Sequence, residues 1–277
     1  MQKISATFIF FTAMYERLKA AIFIREALPN LRSLLSRKTI VSDLEQLRSD
    51  GFSPVTLKLS KAECDKLIEI IDNHAATKSV DSGVSDIRLW STGSNNSPEL
   101  IRTLMADESI SEIATSLMGK DMFVSVVLLN KVFPNGENKG SGGGWHRDGF
   151  RDGLKIIFYL NPTDTCGGPL AIIDGSHHRA SMINLLNEHR ISPFSGSNRS
   201  RDFDDKLQAL VTGGLLKKTE LVGESSGQGY IFNTRTLHRG MPMLNRESNR
   251  YAVTLYIEPR RNPVVKNRRV KGGKINL

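Results

Sequence analysis

The hydrophobic period of this chain changes once, near residue 120, and that change limits the folds open to it. Beyond it come six short runs: "MFVSVVLLNKVFP", "LKIIFYLNP", "GPLAIIDGS", "KTELV", "GQGYIFNTR" and "RYAVTLYIEPR". Each is β-branched or aromatic and is bounded by Gly, Pro, Asn or Asp, the pattern of strands closed by turns. Before it, apolar residues recur at helical spacing. Helices first and many short strands later imply an α+β, mainly β domain, with N-terminal helices backing an antiparallel sandwich or barrel.

Residues 1–75 read as helical. In "VSDLEQLRSDGF" Ser42 is the expected N-cap, with Glu45 three residues on, and Gly51 is the stop. In "SKAECDKLIEIIDNH" Ser60 caps, Glu63 answers, and Leu67, Ile70 and Ile71 form the apolar stripe. "SPELIRTLMADESISEIATSLMG" holds two more short helices, stopped by Gly119. Residues 179–213 interrupt the strands. Their middle, "SPFSGSNRSRDFDD", reads as a loop, and an insertion of this length is expected to be a lid over a site.

The 277 residues suit one large domain with extensions. The net charge of +9 is +5 over residues 1–40 and +7 over residues 260–277, which leaves −3 for residues 41–259. The expected layout is therefore a basic amphipathic helical extension (1–40), a central domain (41–259) and a basic tail (260–277). The apolar run "ISATFIFFTAM" is shorter than the roughly 18–20 residues of a membrane span, and no cleavage-site pattern follows it. It reads as a helix that packs on the domain or lies on an anionic membrane surface. The tail reads as a solubilising end or a contact for an acidic partner or membrane. Two cysteines without CxxC spacing fit a reducing cytoplasm.

The chemistry centres on "KGSGGGWHRDGF". Five small residues, Gly140 to Gly144, lead into Trp145, His146, Arg147 and Asp148. Glycine runs let backbone bend sharply or approach closely. A His and an Asp two apart share one side of extended chain. A third ligand is best supplied by His238 in "GYIFNTRTLHRGMP". Two imidazoles and a carboxylate leave coordination positions open, as non-haem Fe(II) requires. Arg250 opens the last strand. If that strand runs beside the one bearing His238, its guanidinium projects into the barrel and calls for an anion. Plainer readings stand beside these: a surface His-Asp pair, a core histidine, and a structural salt bridge for Arg250, with Arg246 as competing cation. Trp145 walls the pocket or fills the core. Arg88 and Trp90 in "DIRLWSTGS" line a substrate entrance or simply pack. His177 and His178 in "DGSHHRA" are structural, with His177 bonded locally, and Arg147 and Asp152 are solvated.

Taken together, "GWHRD…GPLAIIDGSHH…GYIFNTRTLHRG…NRYAVTLYI" resembles the phytanoyl-CoA dioxygenase family of Fe(II)/2-oxoglutarate oxygenases, over roughly Val124 to Pro259. "DIRLW" resembles a stretch of some bacterial members. The resemblance implies a double-stranded β-helix, a jelly-roll, cupin-like barrel. It implies His146, Asp148 and His238 as iron ligands and Arg250 as the partner of the distal carboxylate of 2-oxoglutarate. It also places Asn130 against the cosubstrate. Many members carry Ser two residues after the second histidine. Here that residue is Gly240, so another hydroxyl, Tyr159 or Thr254, or a water must serve. The implied reaction consumes O₂ and 2-oxoglutarate, releases succinate and CO₂, and hydroxylates an unactivated C–H. Asp148 argues for hydroxylation over halogenation.

Three functions remain open on sequence. The first is a hydroxylase of a small molecule, glycan, lipid or natural product. The second is an oxygenase of a nucleic acid or protein, weakened because the positive charge sits at the ends. The third is a catalytically silent barrel that binds metal or ligand.

Overall fold

The computed structural model describes residues 41–76, 86–134, 144–148, 153–191, 201–245 and 247–260. Residues 1–40 and 261–277, most of the glycine run, Asp152 and Arg246 lie outside the described residues. Among the described residues no helix is long and apolar enough to cross a membrane.

The first described helix, α1 (Leu44–Ser49), is capped by Asp43, whose side chain accepts from the Gln46 N–H at 2.8 Å. Ser42, the expected cap, instead donates its hydroxyl to the Pro54 carbonyl. The chain there is already strand-like, since Val41 bridges Val55. The helical reading of 1–75 also breaks at β1 (Phe52–Pro54), a short strand in the main sheet. α2 (Lys61–Ala76) starts as expected: Ser60 and Glu63 cap one another, each side chain accepting the other's backbone N–H. β2 (Asp86–Ser91) follows, then α3 (Glu99–Ala106) and α4 (Glu108–Met118). α4 ends at Gly119 in the left-handed conformation.

All six runs expected to be strands are strands. They are β3 (Met122–Val132), β4 (Leu154–Tyr159), β5 (Leu170–Ile173), β6 (Lys218–Leu221), β7 (Gly229–Asn233) and β9 (Arg250–Pro259). β8 (His238–Gly240) is added by the structure. The insertion holds α5 (Arg179–Glu188) and α6 (Arg201–Thr212). Its expected loop therefore becomes helix from Arg201 on.

Six strands form one sheet in the order β1-β7-β4-β9-β3-β2, and three form a second, β6-β5-β8, every pair antiparallel. Period-two alternation gives each sheet two different sides. On the large sheet Val127, Leu129, Ile156, Phe158, Ile231, Val253 and Leu255 pack with Leu67, Ile71, Ile101 and Ile110 of the helices. The opposite side meets the small sheet through Phe52, Ile157, Tyr159, Tyr230, Phe232 and Ala252 against Leu170, Ile172 and Leu221. The far side of the small sheet, Ala171 and Ile173, is covered by Phe203, Leu207 and Leu210 of α6 and Met182 and Leu186 of α5. Two facing antiparallel sheets, backed by helices, make the jelly-roll, double-stranded β-helix expected from the sequence.

Candidate metal centre

His146 and His238 are brought together by backbone. The two residues bridge antiparallel, each N–H donating to the other's carbonyl at 3.0 and 2.9 Å. Their rings lie 4.4 Å apart. Both side chains are buried, and both are oriented alike. The Nδ1 of His146 lies 2.9 Å from the Gly144 carbonyl, and that of His238 lies 2.8 Å from the Thr236 carbonyl. A carbonyl can only accept, so Nδ1 carries the proton in each ring and the lone pair resides on Nε2. This is the arrangement by which outer partners prepare metal-binding histidines.

Asp148 follows on the same segment, its N–H donating to the Thr234 carbonyl. Its carboxylate lies between the two Nε2 atoms, 3.8 Å from that of His146 and 3.3 Å from that of His238. One ligand atom from each of the three residues falls within 4.8 Å of the others. Desolvation works against the charged carboxylate, yet positive charge beside it, from the Lys155 ammonium and from His238 when that ring is protonated in place of binding a metal, holds the group well below the usual carboxylate range.

Lys155 is the residue that sequence reading missed. It stands on β4 opposite Phe232 and Tyr256, is almost fully buried, and places Nζ 2.5 Å from Asp148 Oδ2. The same ammonium sits 4.0 Å from the Tyr256 ring centre. Nothing in "LKIIFYLNP" distinguishes an inward lysine from one snorkelling off a strand end. Only the register of β4 does.

Arg250 does not neighbour the strand of His238. It stands on β9, between β3 and β4 in the large sheet, whereas β8 lies at the edge of the small one. Arg250 is 4 % exposed and comes from the facing sheet. Its guanidinium donates to the Gly168 carbonyl. The Tyr159 phenol lies close enough to feel its charge. Burial pushes that phenol up to about 12, with Arg250 pulling the other way. Tyr159 Oη accepts the Leu170 N–H at 2.8 Å, and Leu170 is the strand partner of Gly240. So the tyrosine hydroxyl stands beside the position that lacks a serine. Asn130 is buried on β3 between Arg88 and Ala252, and Thr254 lies one step along the same side of β9.

The other expected residues spread outward. Arg88 pairs with Asp86 at 2.6 Å on β2. Trp90, 41 % exposed, leans on Tyr256 with ring centres 5.4 Å apart. A line of contacts thus runs from Asp148 through Lys155 and Tyr256 to Trp90. Trp145 is fully buried but packs with α5 and α6, on the side away from the imidazoles. Arg147, expected in solvent, is buried and donates to the Ser176 carbonyl. His177 and His178 are structural, though not locally bonded. They lie 3.0 and 3.2 Å from the carbonyls of Arg48 and Ser49 at the end of α1. Gly144, the described glycine of the run, takes φ +99°, and a Cβ there would meet the Asp204 carboxylate at 2.6 to 2.9 Å. Its close approach is to helix α6 and not to the metal position.

No family model matches the sequence, and no curated protein matches it. Solved structures do match the fold. AviO1 from Streptomyces viridochromogenes Tue57 aligns with a TM-score of 0.56 at 16 % identity, over 80 % of this chain and 96 % of that one. The epimerase SnoN, in complex with Fe3+, alpha ketoglutarate and nogalamycin RO, aligns with a TM-score of 0.55 at 15 % identity over 77 % and 81 %. EctD from S. alaskensis with 2-oxoglutarate and 5-hydroxyectoine gives 0.54 at 15 % over 81 % of each chain. At these identities the likeness establishes the barrel, and the argument for chemistry rests on the residues inside it.

Proposed function

We propose that this chain is an Fe(II)- and 2-oxoglutarate-dependent dioxygenase that hydroxylates an unactivated C–H of a small-molecule, glycan or lipid-like substrate. The observation that carries this reading is the pair of buried imidazoles. Their Nδ1–H groups are held by carbonyls, and their Nε2 atoms converge on one carboxylate. The donor set suits iron with open positions. AviO1, SnoN and EctD share the fold, and the last two carry iron or 2-oxoglutarate in the structures cited, which supports the same pairing here.

Each residue then has a task. His146, Asp148 and His238 hold the metal. Arg250 offers a buried cation for the distal carboxylate of 2-oxoglutarate, with Tyr159 supplying the hydroxyl that Gly240 cannot. Asn130 lines the same side of the sheet. Trp90 and Arg88, on the outer strand, border the substrate approach, and Phe232, edge-on to His238, helps exclude water. Iron with 2-oxoglutarate and O₂ supplies the oxidising chemistry when bound, with succinate and CO₂ as co-products. The protein orients substrate and cosubstrate and keeps the site dry.

The deciding test is anaerobic addition of Fe(II) and then 2-oxoglutarate, followed by visible absorption. A charge-transfer band is expected in the wild type. It should be absent in His238→Ala and should need at least tenfold more 2-oxoglutarate in Arg250→Met. Folded, iron-loaded protein without a band would remove the cosubstrate and leave a metal-binding barrel.

A further inference from the structure

The insertion 179–213 reads from sequence as a lid, but its second helix makes contacts of another kind. Asp204, on α6, accepts the Trp145 backbone N–H at 2.7 Å and a guanidinium N–H of Arg239 at 3.1 Å, both on Oδ1. One turn further on, Gln208 accepts the Trp145 indole N–H at 3.2 Å. Trp145 directly precedes His146, and Arg239 directly follows His238. In extended chain, neighbours of a residue point to the opposite side. One carboxylate therefore holds both metal-bearing segments from behind while the two imidazoles face the metal position in front. The segments themselves are joined by the His146–His238 bridge, so Asp204 closes a triangle whose sides are all hydrogen bonds. Gly144 agrees with this. Any side chain there would occupy the space of the Asp204 carboxylate. Helix α6 is itself anchored by Phe203, Leu207 and Leu210, packed against Trp145, Ala171 and Ile173.

We infer that Asp204 is a positioning residue for the metal centre, and that α6 is a brace coupling the insertion to the two histidine ligands. This rests on the proposed metal-binding reading. The physical reason is preorganisation. Two ligands on separate segments must be held at fixed separation before an ion arrives, and ordering them afterwards weakens binding. Supporting hydrogen bonds around metal ligands are typically worth about 10–100-fold in metal affinity. Binding is reciprocal, so metal loading must also stabilise the docked insertion.

The experiment uses the full chain and Co(II) as probe, comparing wild type with Asp204→Ala and Asp204→Asn. Three quantities are read: the Co(II) dissociation constant, the Co(II) visible spectrum, and the metal-free Tm. Asp204→Ala should weaken Co(II) by about tenfold or more and alter the spectrum, because the ligand geometry relaxes. Asp204→Asn keeps an acceptor for the Trp145 N–H and loses the charge opposite Arg239, so it should lie between. It also carries the test if the alanine variant does not fold. A dissociation constant within twofold of wild type, with an unchanged spectrum, overturns the brace whatever happens to Tm. Wild type that gives no Co(II) spectrum at all is a different failure, which removes the metal centre and the brace with it.

Discussion

An ammonium 2.5 Å from the carboxylate that would ligate iron competes with the metal for the same oxygens. At an effective dielectric of about 20, a divalent ion roughly 5 Å from a lysine charge is repelled by several kcal/mol before relaxation. Even a fraction of that is a tenfold change in affinity. Lys155→Met keeps the apolar stem against Phe232 and Tyr256 and removes the charge. It should therefore bind Co(II) or Mn(II) at least tenfold more tightly in a calorimetric titration. Equal or weaker binding would mean that the ammonium acts mainly by aiming Asp148. At the other end of the site, Tyr159→Phe removes one hydroxyl and leaves the ring packed. The loss of one hydrogen bond to a charged group, about 1.5–3 kcal/mol, predicts a roughly tenfold or greater rise in the 2-oxoglutarate concentration that half-saturates the anaerobic band. The clustering of His146, Asp148 and His238 was legible because His-x-Asp and a later His are separated by recognisable strands and turns. Lys155 was not, because a lysine in an apolar run changes meaning with a one-residue slip in register, and register is set by neighbouring strands.

Hydrogen bonds join the end of α1 to the turn after β5. The Gly175 N–H donates to the Asp50 carbonyl, and His177 and His178 lie against the carbonyls of Arg48 and Ser49. These are helix-end carbonyls without partners in their own helix, so the two imidazoles complete the C-terminus of α1. Burial, with His178 beside it, lowers His177 from 6.5 to about 4. In the folded state it stays neutral, whereas the unfolded chain protonates it below about pH 6.5. The unfolded state thus binds more protons between these values, and stability must fall as pH drops through that window. The shift corresponds to a loss on the order of 3 kcal/mol, complete near pH 4. Urea unfolding from pH 7 to 4 should show this slope in the wild type and a flatter one in His177→Gln. A parallel pair of profiles would sink the assignment. Elements were readable where local chemistry decides them, as in the reciprocal cap of Ser60 and Glu63. Ser42 misled because Asp43 beside it caps equally well, and the bridge of Val41 to Val55 leaves the Ser42 N–H and hydroxyl bonded to the Pro54 carbonyl. β1 and β8 were missed because three residues carry no period, and β2 because its charged Asp86 and Arg88 hide an alternation.

At the scale of the molecule, the described chain is a stack: helices, large sheet, small sheet, insertion helices. Each gap is filled by its own apolar cluster. The three candidate ligands sit between the two sheets, and α6 contacts their segments from the outer gap through Asp204. The fold class followed from sequence because strand count, turn residues and helix placement all agree with one layered solution. The pairing of strands did not, and it put Arg250 on the large sheet, facing the one that carries His238. The basic ends carry charge out of proportion to their length. A chain of residues 41–260 carries net charge −2 against +9 for the whole. It holds every described residue of the three clusters and all three candidate ligands, so it should fold and bind Co(II) within about twofold of the full chain. Any retention of the full chain on anionic vesicles should weaken with salt and vanish on truncation, since surface attraction of this kind follows the Lys and Arg count and is screened within a Debye length. Vesicle binding that survives truncation would place the attraction on the barrel, where the charge balance offers no source for it. Loss of Co(II) binding on truncation would instead show that residues 1–40 or 261–277 hold the barrel together, and the boundary at residue 41 would have to move.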